Sequence, residues 1–229
     1  MAGRRRPATT ATAPRIGAAA ALGYLAGTLP SADIASRLAS GGATDLRLVG
    51  STNPGAANAI KQLGPRWGYG VLAADVAKGA AGSIGGRLLA GSAGAHVGGT
   101  AAVVGHCFPV WTGFRGGKGV AASAGQCLAT FPAYTPIDLT VAAVTASSRR
   151  WKQRAFAATA VASAVWVLAG LVWWRRDWPN GWGPSPGPGL PLAAAASSAV
   201  ILCKFAGAAR RSVGSAAAPS STSTEPGCP

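Results

Sequence analysis

Long apolar runs that are almost free of charge restrict the fold of this sequence more than any other feature. Charged residues make up 12% of the chain, against about 25% in an average water-soluble domain. Seven runs can be drawn, at about 16–38, 67–90, 94–112, 118–131, 135–147, 155–174 and 189–206. Inside lipid the backbone must satisfy its own hydrogen bonds, which favours helices. The sequence therefore predicts an all-α integral membrane protein with about seven transmembrane helices and glycine-rich cytoplasmic motif loops.

The two ends of the chain differ in composition from its apolar middle. Residues 1–15 are basic and rich in alanine, threonine and proline, and residues 212–229 are rich in serine, alanine and proline. Such segments bury too little apolar surface to fold, so both are predicted to be disordered tails of a membrane domain at 16–211. The basic start and the apolar stretch after it also resemble a signal peptide. No small-residue cleavage site follows, and an uncleaved first helix is the preferred interpretation.

Glycines spaced four residues apart occur within three of the predicted helices. The pairs are Gly23 with Gly27, Gly82 with Gly86, and Gly94 with Gly98. Small residues at this spacing let two helix backbones approach closely in lipid, so each pair is a candidate helix contact. A high-GC coding sequence, which enriches alanine and glycine, would produce such pairs as well.

The distribution of charge indicates both the environment and the orientation of the chain, whose net charge is +15. Its basic residues lie in short clusters between apolar runs, and most of its eight tryptophans lie near the ends of those runs. This pattern is typical of membrane-protein loops and aromatic belts, not of a nucleic-acid-binding groove. Membrane lipids are therefore predicted partners, and nucleic acid is not. With the N-terminus outside, thirteen lysines and arginines are cytoplasmic and seven are external, which favours this orientation for a multi-pass protein of the cell (plasma) membrane.

The cysteines give no sign of a metal site. Cys107, Cys127, Cys203 and Cys228 are widely spaced and form no C-x-x-C pair. They also form no Cys/His set with the spacing of zinc ligands. We interpret them as buried free thiols, and the sequence predicts neither a metal nor a cofactor.

Two polar, glycine-rich segments interrupt the apolar pattern and, in this orientation, share the cytoplasmic face. The first is VGSTNPGAANAIKQLG at 49–64 and the second is FRGGKGVAAS at 114–123. Ser51, Asn53 and Asn58 offer neutral hydrogen-bonding groups, and Lys61 and Lys118 offer positive charge. Irregular backbone at membrane depth survives only where protein or a water-filled cavity satisfies it. The combination predicts a site for an anion such as phosphate.

Glycines in these segments would let backbone N–H groups approach that anion. The glycines concerned are Gly55, Gly116, Gly117 and Gly119. A nucleotide-binding P-loop is excluded, because one residue is missing after Gly113 and because Gly119 stands where a serine or threonine would hold magnesium. Two structural alternatives remain open: a polar turn with an asparagine cap for the first segment, and a tight turn with a snorkelling lysine for the second.

Three further ionisable residues in the apolar runs have structural interpretations. Asp75 and Lys78 lie three residues apart on one face of a predicted helix, where they are expected to pair. His106, in GHCFP, is expected to make a hydrogen bond between helices. His96 is assigned to an outer loop with a structural role.

The glycine-rich segments resemble motifs of a known family. GSTNPGAANAIKQLG resembles the first motif, and GHCFPVWTGFRGGKGVAAS the second, of the bacterial acyl-phosphate:glycerol-3-phosphate acyltransferases, the PlsY type. YLAGTLPSADI and DVAKGAAGS, which lie before and between them, also look like that family. The resemblance implies a seven-helix membrane enzyme with an external N-terminus. Its expected reaction moves an acyl chain from acyl phosphate to the sn-1 hydroxyl of glycerol 3-phosphate, giving lysophosphatidic acid for phospholipid biosynthesis.

The resemblance also implies roles for individual residues. Ser51 matches the serine of the first motif, Lys118 matches the phosphate-binding lysine, and Lys61 stands where the family usually has arginine. These three are the expected catalytic residues. The expected ligands of substrate phosphate are Asn53, Gly55, Asn58, Gly116, Gly117, Gly119 and Arg210.

A third motif of the family, after its last helix, is altered in this chain. In the best ungapped placement, Lys204 replaces its histidine and Gly207 its asparagine, whereas Arg210 and Gly214 are retained. These departures leave open a divergent or weak acyltransferase, or a member that has kept binding and lost catalysis.

The chemistry of the expected reaction suits the residues present. An acyl phosphate is an activated mixed anhydride, so its transfer requires neither ATP nor a protein nucleophile. It requires positive charge and N–H donors on two phosphate groups, and a hydroxyl oriented toward the carbonyl. A non-catalytic protein that binds phosphate or lipid phosphate, or a transporter, is the alternative function. The sequence shows no internal repeat, which disfavours the transporter.

Overall fold

The chain forms a bundle of α-helices. A computed structural model describes residues 11–216, with side chains described as far as residue 208, and no β-strand occurs within that range. The helices, numbered in chain order, are α1 (Ala13–Gly27), α2 (Ser31–Ser40), α3 (Ala56–Leu63), α4 (Pro65–Cys107), α5 (Val120–Thr130), α6 (Thr135–Ser147), α7 (Arg154–Arg176) and α8 (Gly189–Ala216). A short 3₁₀-helix, Val110–Thr112, lies between α4 and α5. The prediction of an all-helical protein is confirmed.

The long helix α4 is a hairpin at the centre of the bundle. A straight helix of its 43 residues would be about 65 Å long, roughly twice the hydrocarbon thickness of a bilayer. Ala90 and Gly91 have non-helical backbone angles, and Gly91 has a φ of 61°, so α4 breaks there and folds back. Its two arms, 65–89 and 92–107, correspond to the predicted runs 67–90 and 94–112. The helices α1, α3, α5 and α8 pack against α4.

The predicted glycine contacts hold the hairpin and α1 together. A Cβ atom on Gly86 would overlap the carbonyl oxygen of Gly94, and one on Gly98 would overlap that of Gly82. From α1, Gly23 meets Gly98 in the same way, and Gly27 meets Ala102. All three glycine pairs therefore lie at close backbone contacts, as their spacing predicts.

The first apolar run does not form one helix, contrary to its prediction. It divides into α1 and α2 at residues 28–30, where Pro30 precedes the first residue of α2. Proline disfavours helical geometry in the residue before it, here Leu29. Helix α2 carries a strong amphipathic pattern, with Ala32 and Ala35 buried and Ile34 and Leu38 exposed.

The described helices differ widely in length. Three stretches are long and apolar enough to cross a bilayer, Pro65–Thr112, Arg154–Arg176 and Gly189–Ala208. The first contains both arms of the α4 hairpin. Helices α5 and α6 have 11 and 13 residues, whereas a full crossing needs about 20. By length and composition, the described residues therefore contain three stretches able to cross a membrane, and the prediction of about seven crossings stays a prediction.

Three smaller predictions can be compared with the fold. The pairing of Asp75 with Lys78 is confirmed by a distance of 2.7 Å between Lys78 Nζ and Asp75 Oδ1. His96 is buried within α4, so its assignment to an outer loop is wrong. Cys107 and Cys127 are buried thiols, as predicted, but Cys203 is exposed, because α8 presents it on its outer face. The predicted disordered tails are wrong at their inner edges, because α1 begins at Ala13 and α8 ends at Ala216. The remaining tail residues, 1–10 and 217–229 with Cys228, lie outside the described residues.

The two ends of the bundle can be told apart by their contacts with α5. The segment 177–188 lies at the C-terminal end of α5, where Asn180 Nδ2 donates to the carbonyl of Thr130 over 2.9 Å. Trp182 Nε1 donates there to the carbonyl of Leu128 over 3.2 Å. The second glycine-rich segment leads into the N-terminal end of α5. The glycine-rich segment and the 177–188 segment therefore occupy opposite ends of the bundle.

Candidate functional site

Both glycine-rich segments meet at one end of the bundle. Pro54 from the first segment and Gly116 and Gly117 from the second line the same small cleft. Arg47, just before the first segment, donates from Nε to the carbonyl of Arg115 over 2.9 Å. Segments that are more than 50 residues apart in the sequence thus form one surface. We call this surface the glycine-motif face.

The second segment is a tight loop fixed to the end of α4. Gly113 and Gly119 adopt φ values of 58° and 90°, a region in which only glycine is unstrained. The N–H of Gly116 donates to the carbonyl of Cys107, and the N–H of Gly117 to the carbonyl of His106, each over 3.2 Å. Gly116 and Gly117 were expected to present N–H groups to phosphate, but those groups are already used within the loop. The two hydrogen bonds hold the loop against the end of α4, and phosphate binding by these glycines stays a prediction.

Lys118 is held between this loop and the start of α5. Its side chain is half-buried, and Nζ lies 4.3 Å from the centroid of the Phe205 ring, close enough for a cation–π contact. Desolvation by this partial burial lowers the pKa of Lys118 below its ordinary value. The next residue, Gly119, is the N-cap of α5 and supplies no side-chain cap.

The start of α5 is a natural place for an anion. The first N–H groups of a helix have no partner within the helix, and the helix dipole is positive there. At α5 the residues after Gly119 begin with Val120, so no polar side chain of the cap competes for those N–H groups. Lys118 thus directly precedes an uncapped helix N-terminus in the chain, and a lysine next to such an N-terminus suits phosphate.

The first segment forms a turn that leads into α3. Ser51 is exposed on this turn, and its N–H donates to Asn58 Oδ1 over 3.1 Å. Asn58 is buried, and its Nδ2 donates to the carbonyls of Leu46 and Val49, each over 3.0 Å. Asn58 was expected to bind phosphate, but both ends of its amide are engaged by the turn. The Asn58 amide therefore holds the turn that carries Ser51, and phosphate binding by Asn58 stays a prediction.

The remaining residues of the first segment lie around the start and end of α3. Gly55 is the N-cap of α3 and provides no side-chain cap. Asn53, next to it in space, is partly exposed. Lys61 is exposed in the last turn of α3. Asn53 and Lys61 are thus accessible to a ligand from solvent, and their phosphate-binding roles stay predictions.

The region of the altered third motif reaches the same loop. Lys204, on α8, donates from Nζ to the carbonyl of Cys107 over 2.8 Å and lies 4.7 Å from the centroid of the Phe108 ring. The same carbonyl accepts the N–H of Gly116. Lys204 therefore shares a hydrogen-bond acceptor, the Cys107 carbonyl, with the loop that carries Lys118. The side chain of Arg210, expected to bind phosphate, lies outside the described residues.

One ion pair on this face was not anticipated from the sequence. Arg47 pairs with Asp33 of α2, with Nη2 3.0 Å from Asp33 Oδ2 and a closer contact between Nη1 and Oδ1. The hydrogen bond with Asp33 raises the pKa of Arg47. The sequence did offer an indication, because acidic residues are rare in this chain, Asp33 lies within the family-like string YLAGTLPSADI, and Arg47 lies just before the first glycine-rich motif. Pairing them required the fold, which brings α2 beside the first glycine-rich segment.

These features define a class of protein: a helical membrane protein with a cationic, glycine-framed site at one end of its bundle. The sequence profile of the family described as glycerol-3-phosphate acyltransferase matches residues 17–216. The chain belongs to this family.

Individual proteins with the same description are similar over most of their length. A glycerol-3-phosphate acyltransferase of Maricaulis maris (strain MCS10) is 41% identical over 162 residues, which cover 70% of this chain and 72% of the relative. One of Jannaschia sp. (strain CCS1) is 38% identical over 163 residues, with 71% and 78% covered. The similarity therefore extends well beyond the two glycine motifs.

Solved structures show the same fold. The crystal structure of PlsY (YgiH), an integral membrane glycerol 3-phosphate acyltransferase, in its glycerol 3-phosphate form, has a TM-score of 0.66 and 27% identity. The match covers 87% of this chain and 94% of that chain. Its lysophosphatidic acid form has a TM-score of 0.67 at 24% identity, which supports the fold alone. This chain is thus built like a membrane acyltransferase.

Proposed function

We propose that this protein transfers a fatty acyl group from acyl phosphate to the sn-1 hydroxyl of glycerol 3-phosphate. The product is lysophosphatidic acid, and the reaction belongs to phospholipid biosynthesis. Family membership supports the reaction class, and relatives described as glycerol-3-phosphate acyltransferases support the acceptor. Acyl phosphate as donor follows from the resemblance to the PlsY type.

The observation that carries this proposal is the position of Lys118. Lys118 directly precedes Gly119, the N-cap of α5, and follows a loop backbone that is fixed at Gly116 and Gly117. Fixed positive charge in a partly desolvated site stabilises phosphate without needing to reorganise during reaction. Exposed Ser51 and Lys61 belong to the other segment of the same face and are the proposed second contacts for substrate.

The proposed reaction is a direct acyl transfer. The sn-1 hydroxyl oxygen attacks the acyl carbonyl carbon, a new ester C–O bond forms, and the bond between that carbon and the phosphate oxygen breaks. Phosphate leaves with the bonding electron pair, and Lys118 stabilises its negative charge. The hydroxyl proton passes to a phosphate oxygen of substrate. Lys61 and the N-terminus of α5 orient the phosphate groups, so the protein's contribution is positioning and charge.

The membrane setting is also part of the proposal. We infer about seven crossings, with short α5 and α6 completed by the loops next to them, and an N-terminus outside the cell. The glycine-motif face then lies on the cytoplasmic side of the plasma membrane. The excess of lysine and arginine on that side supports this orientation.

Binding without catalysis is the second candidate, and the third-motif region favours it. Lys204 and Gly207 replace the family's histidine and asparagine. The ammonium of Lys204 is engaged with the Cys107 carbonyl, which ties it to the loop. A protein with this change could retain phosphate affinity while losing turnover.

One assay separates the two candidates. Purified protein in detergent is given acyl phosphate and glycerol 3-phosphate, and lysophosphatidic acid and released phosphate are followed with time. The acyltransferase proposal predicts both products in equal amounts, at a rate proportional to protein concentration. Binding of glycerol 3-phosphate by calorimetry with no product formed would contradict it and establish the second candidate.

A further inference from the structure

A buried polar cluster lies directly beneath the Lys118 loop. It consists of Ser31 at the start of α2, Asp75 and Lys78 on the first arm of α4, and His106 near the end of the second arm. Ser31 Oγ donates to Asp75 Oδ1 over 2.6 Å, and Lys78 Nζ donates to the same oxygen over 2.7 Å. His106 Nδ1 lies 3.5 Å from that oxygen. One carboxylate oxygen therefore joins three helical segments.

The cluster is buried at a cost that apolar side chains would avoid. Asp75, Lys78 and His106 are all at most 7% exposed. Removing charges from water costs several kcal/mol per ion, and a buried pair is often no more stable than apolar residues of the same size. Ionisable residues inside membrane helices are for this reason usually functional. Stability alone gives a weak reason for this arrangement.

His106 connects the cluster to the loop. Its backbone carbonyl accepts the N–H of Gly117 over 3.2 Å. Its imidazole ring covers the same glycine, because a Cβ atom on Gly117 would overlap the ring at Nε2 and lie 3.0 Å from Cε1. The place of the His106 ring thus determines the place of Gly117, and Gly117 immediately precedes Lys118.

We propose that Ser31, Asp75, Lys78 and His106 are positioning residues that hold the Lys118 loop in its phosphate-binding geometry. This inference rests on the proposed function for the role of Lys118. The residues act through the loop and do not touch substrate. Ser31, Lys78 and His106 line the same small cleft as Gly116 and Gly117, so the cluster adjoins the loop that it is proposed to hold.

The test compares two replacements of His106. His106→Leu keeps apolar bulk but removes the group that faces Asp75, whereas in His106→Asn the amide can donate to Asp75 from about the place of Nδ1. Small misplacements of a catalytic group can lower rates by about 100-fold. We expect His106→Leu to lower kcat/KM by about 10- to 100-fold and His106→Asn to restore most of that loss. Hydrogen–deuterium exchange of residues 113–119 should be faster in His106→Leu and near the wild-type rate in His106→Asn.

A second variant covers the case in which His106→Leu does not fold. Asp75→Leu combined with Lys78→Met removes both charges together, so neither is left unpaired in the interior. We expect this double variant to melt near the wild-type temperature while its loop exchanges faster and its kcat/KM falls at least tenfold. Wild-type exchange and turnover in the double variant would overturn the proposal.

A matched control comes from another buried polar contact. Ser197 Oγ donates to Gln126 Oε1 over 2.7 Å between α8 and α5. Ser197→Ala should lower the melting temperature without changing exchange in the 113–119 loop. If His106→Leu behaves like Ser197→Ala, the cluster is structural only and the proposal is wrong. Exchange needs no substrate, so it tests the cluster even if the wild type forms no lysophosphatidic acid, an outcome that would refute the proposed function alone.

Discussion

At the scale of single residues, we expect Asn58 and Asn53 to respond differently to replacement by alanine. The Asn58 amide makes hydrogen bonds with three backbone groups of the turn. Asn58→Ala would remove these hydrogen bonds and leave the three backbone groups without this partner. A buried polar group without its partner costs about 1–3 kcal/mol, so we expect a clearly lower melting temperature. Asn53→Ala, at a partly exposed site, should leave melting unchanged and raise KM for glycerol 3-phosphate. Thermal melting and initial-rate kinetics check both, and equal melting of the two variants would contradict the assignment.

Lys61 offers a gain-of-function prediction. It is exposed on the last turn of α3, where a longer side chain meets no steric barrier. A guanidinium binds phosphate through two parallel hydrogen bonds, whereas an ammonium acts as a point charge. Lys61→Arg should therefore keep or raise kcat/KM, while Lys61→Ala should lower it. Wild-type kcat/KM in Lys61→Ala would show that position 61 does not bind phosphate.

Contacts between residues close together in the sequence could be predicted, whereas contacts between residues far apart in the sequence could not. Asp75 and Lys78 are three residues apart, so helical geometry alone places them together. The contact of Lys204 with the Cys107 carbonyl spans 97 residues, and no periodicity in the sequence reports it. The loop folds back on α4, where the Gly116 and Gly117 N–H groups donate to backbone carbonyls, and phosphate binding by these two glycines stays a prediction.

At the scale of elements, the glycine contacts of α4 carry a stability prediction. Gly98 packs against the backbone of Gly82, so a methyl group there would force the two arms apart. Overpacking of this kind costs about 1–3 kcal/mol, and Gly98→Ala should lower the melting temperature in detergent. Gly70 lies on the same helix with open space around it, so Gly70→Ala should be neutral or stabilising by about 0.5–1 kcal/mol. If both variants melt alike, the close backbone contact is not holding the hairpin.

Element boundaries show where apolar patterning is informative and where it is not. The break of α4 at Ala90 and Gly91 coincides with the boundary between the predicted runs 67–90 and 94–112. The boundary could be predicted because a short stretch with glycine and serine interrupts the apolar residues there. The division of the first run at residues 28–30 was missed, since Leu29 and Pro30 continue the apolar pattern without a charge. Hydropathy reports burial in lipid, whereas a proline break depends on backbone geometry.

At the scale of the whole molecule, the proposed orientation predicts which end reacts with a reagent outside the cell. The glycine-motif face and the 177–188 segment lie at opposite ends of the bundle. In a variant without native cysteines, Gly187→Cys, at an open position, should react with an impermeant thiol reagent in intact cells. Ser51→Cys should react only after the cells are permeabilised. The reverse pattern would show that the bundle is inserted the other way round.

The rate of lysophosphatidic acid formation by Lys118 variants tests the proposed phosphate site most directly. Loss of a charge-assisted contact costs about 1.5–3 kcal/mol, and about 1.4 kcal/mol is tenfold in rate. With acyl phosphate and glycerol 3-phosphate as substrates, Lys118→Ala should lower kcat/KM by about tenfold to a few hundredfold at an unchanged melting temperature. Lys118→Arg, which keeps the charge, should retain more activity than Lys118→Ala. Wild-type turnover by folded Lys118→Ala would show that the loop is only a turn and that the anion is bound elsewhere.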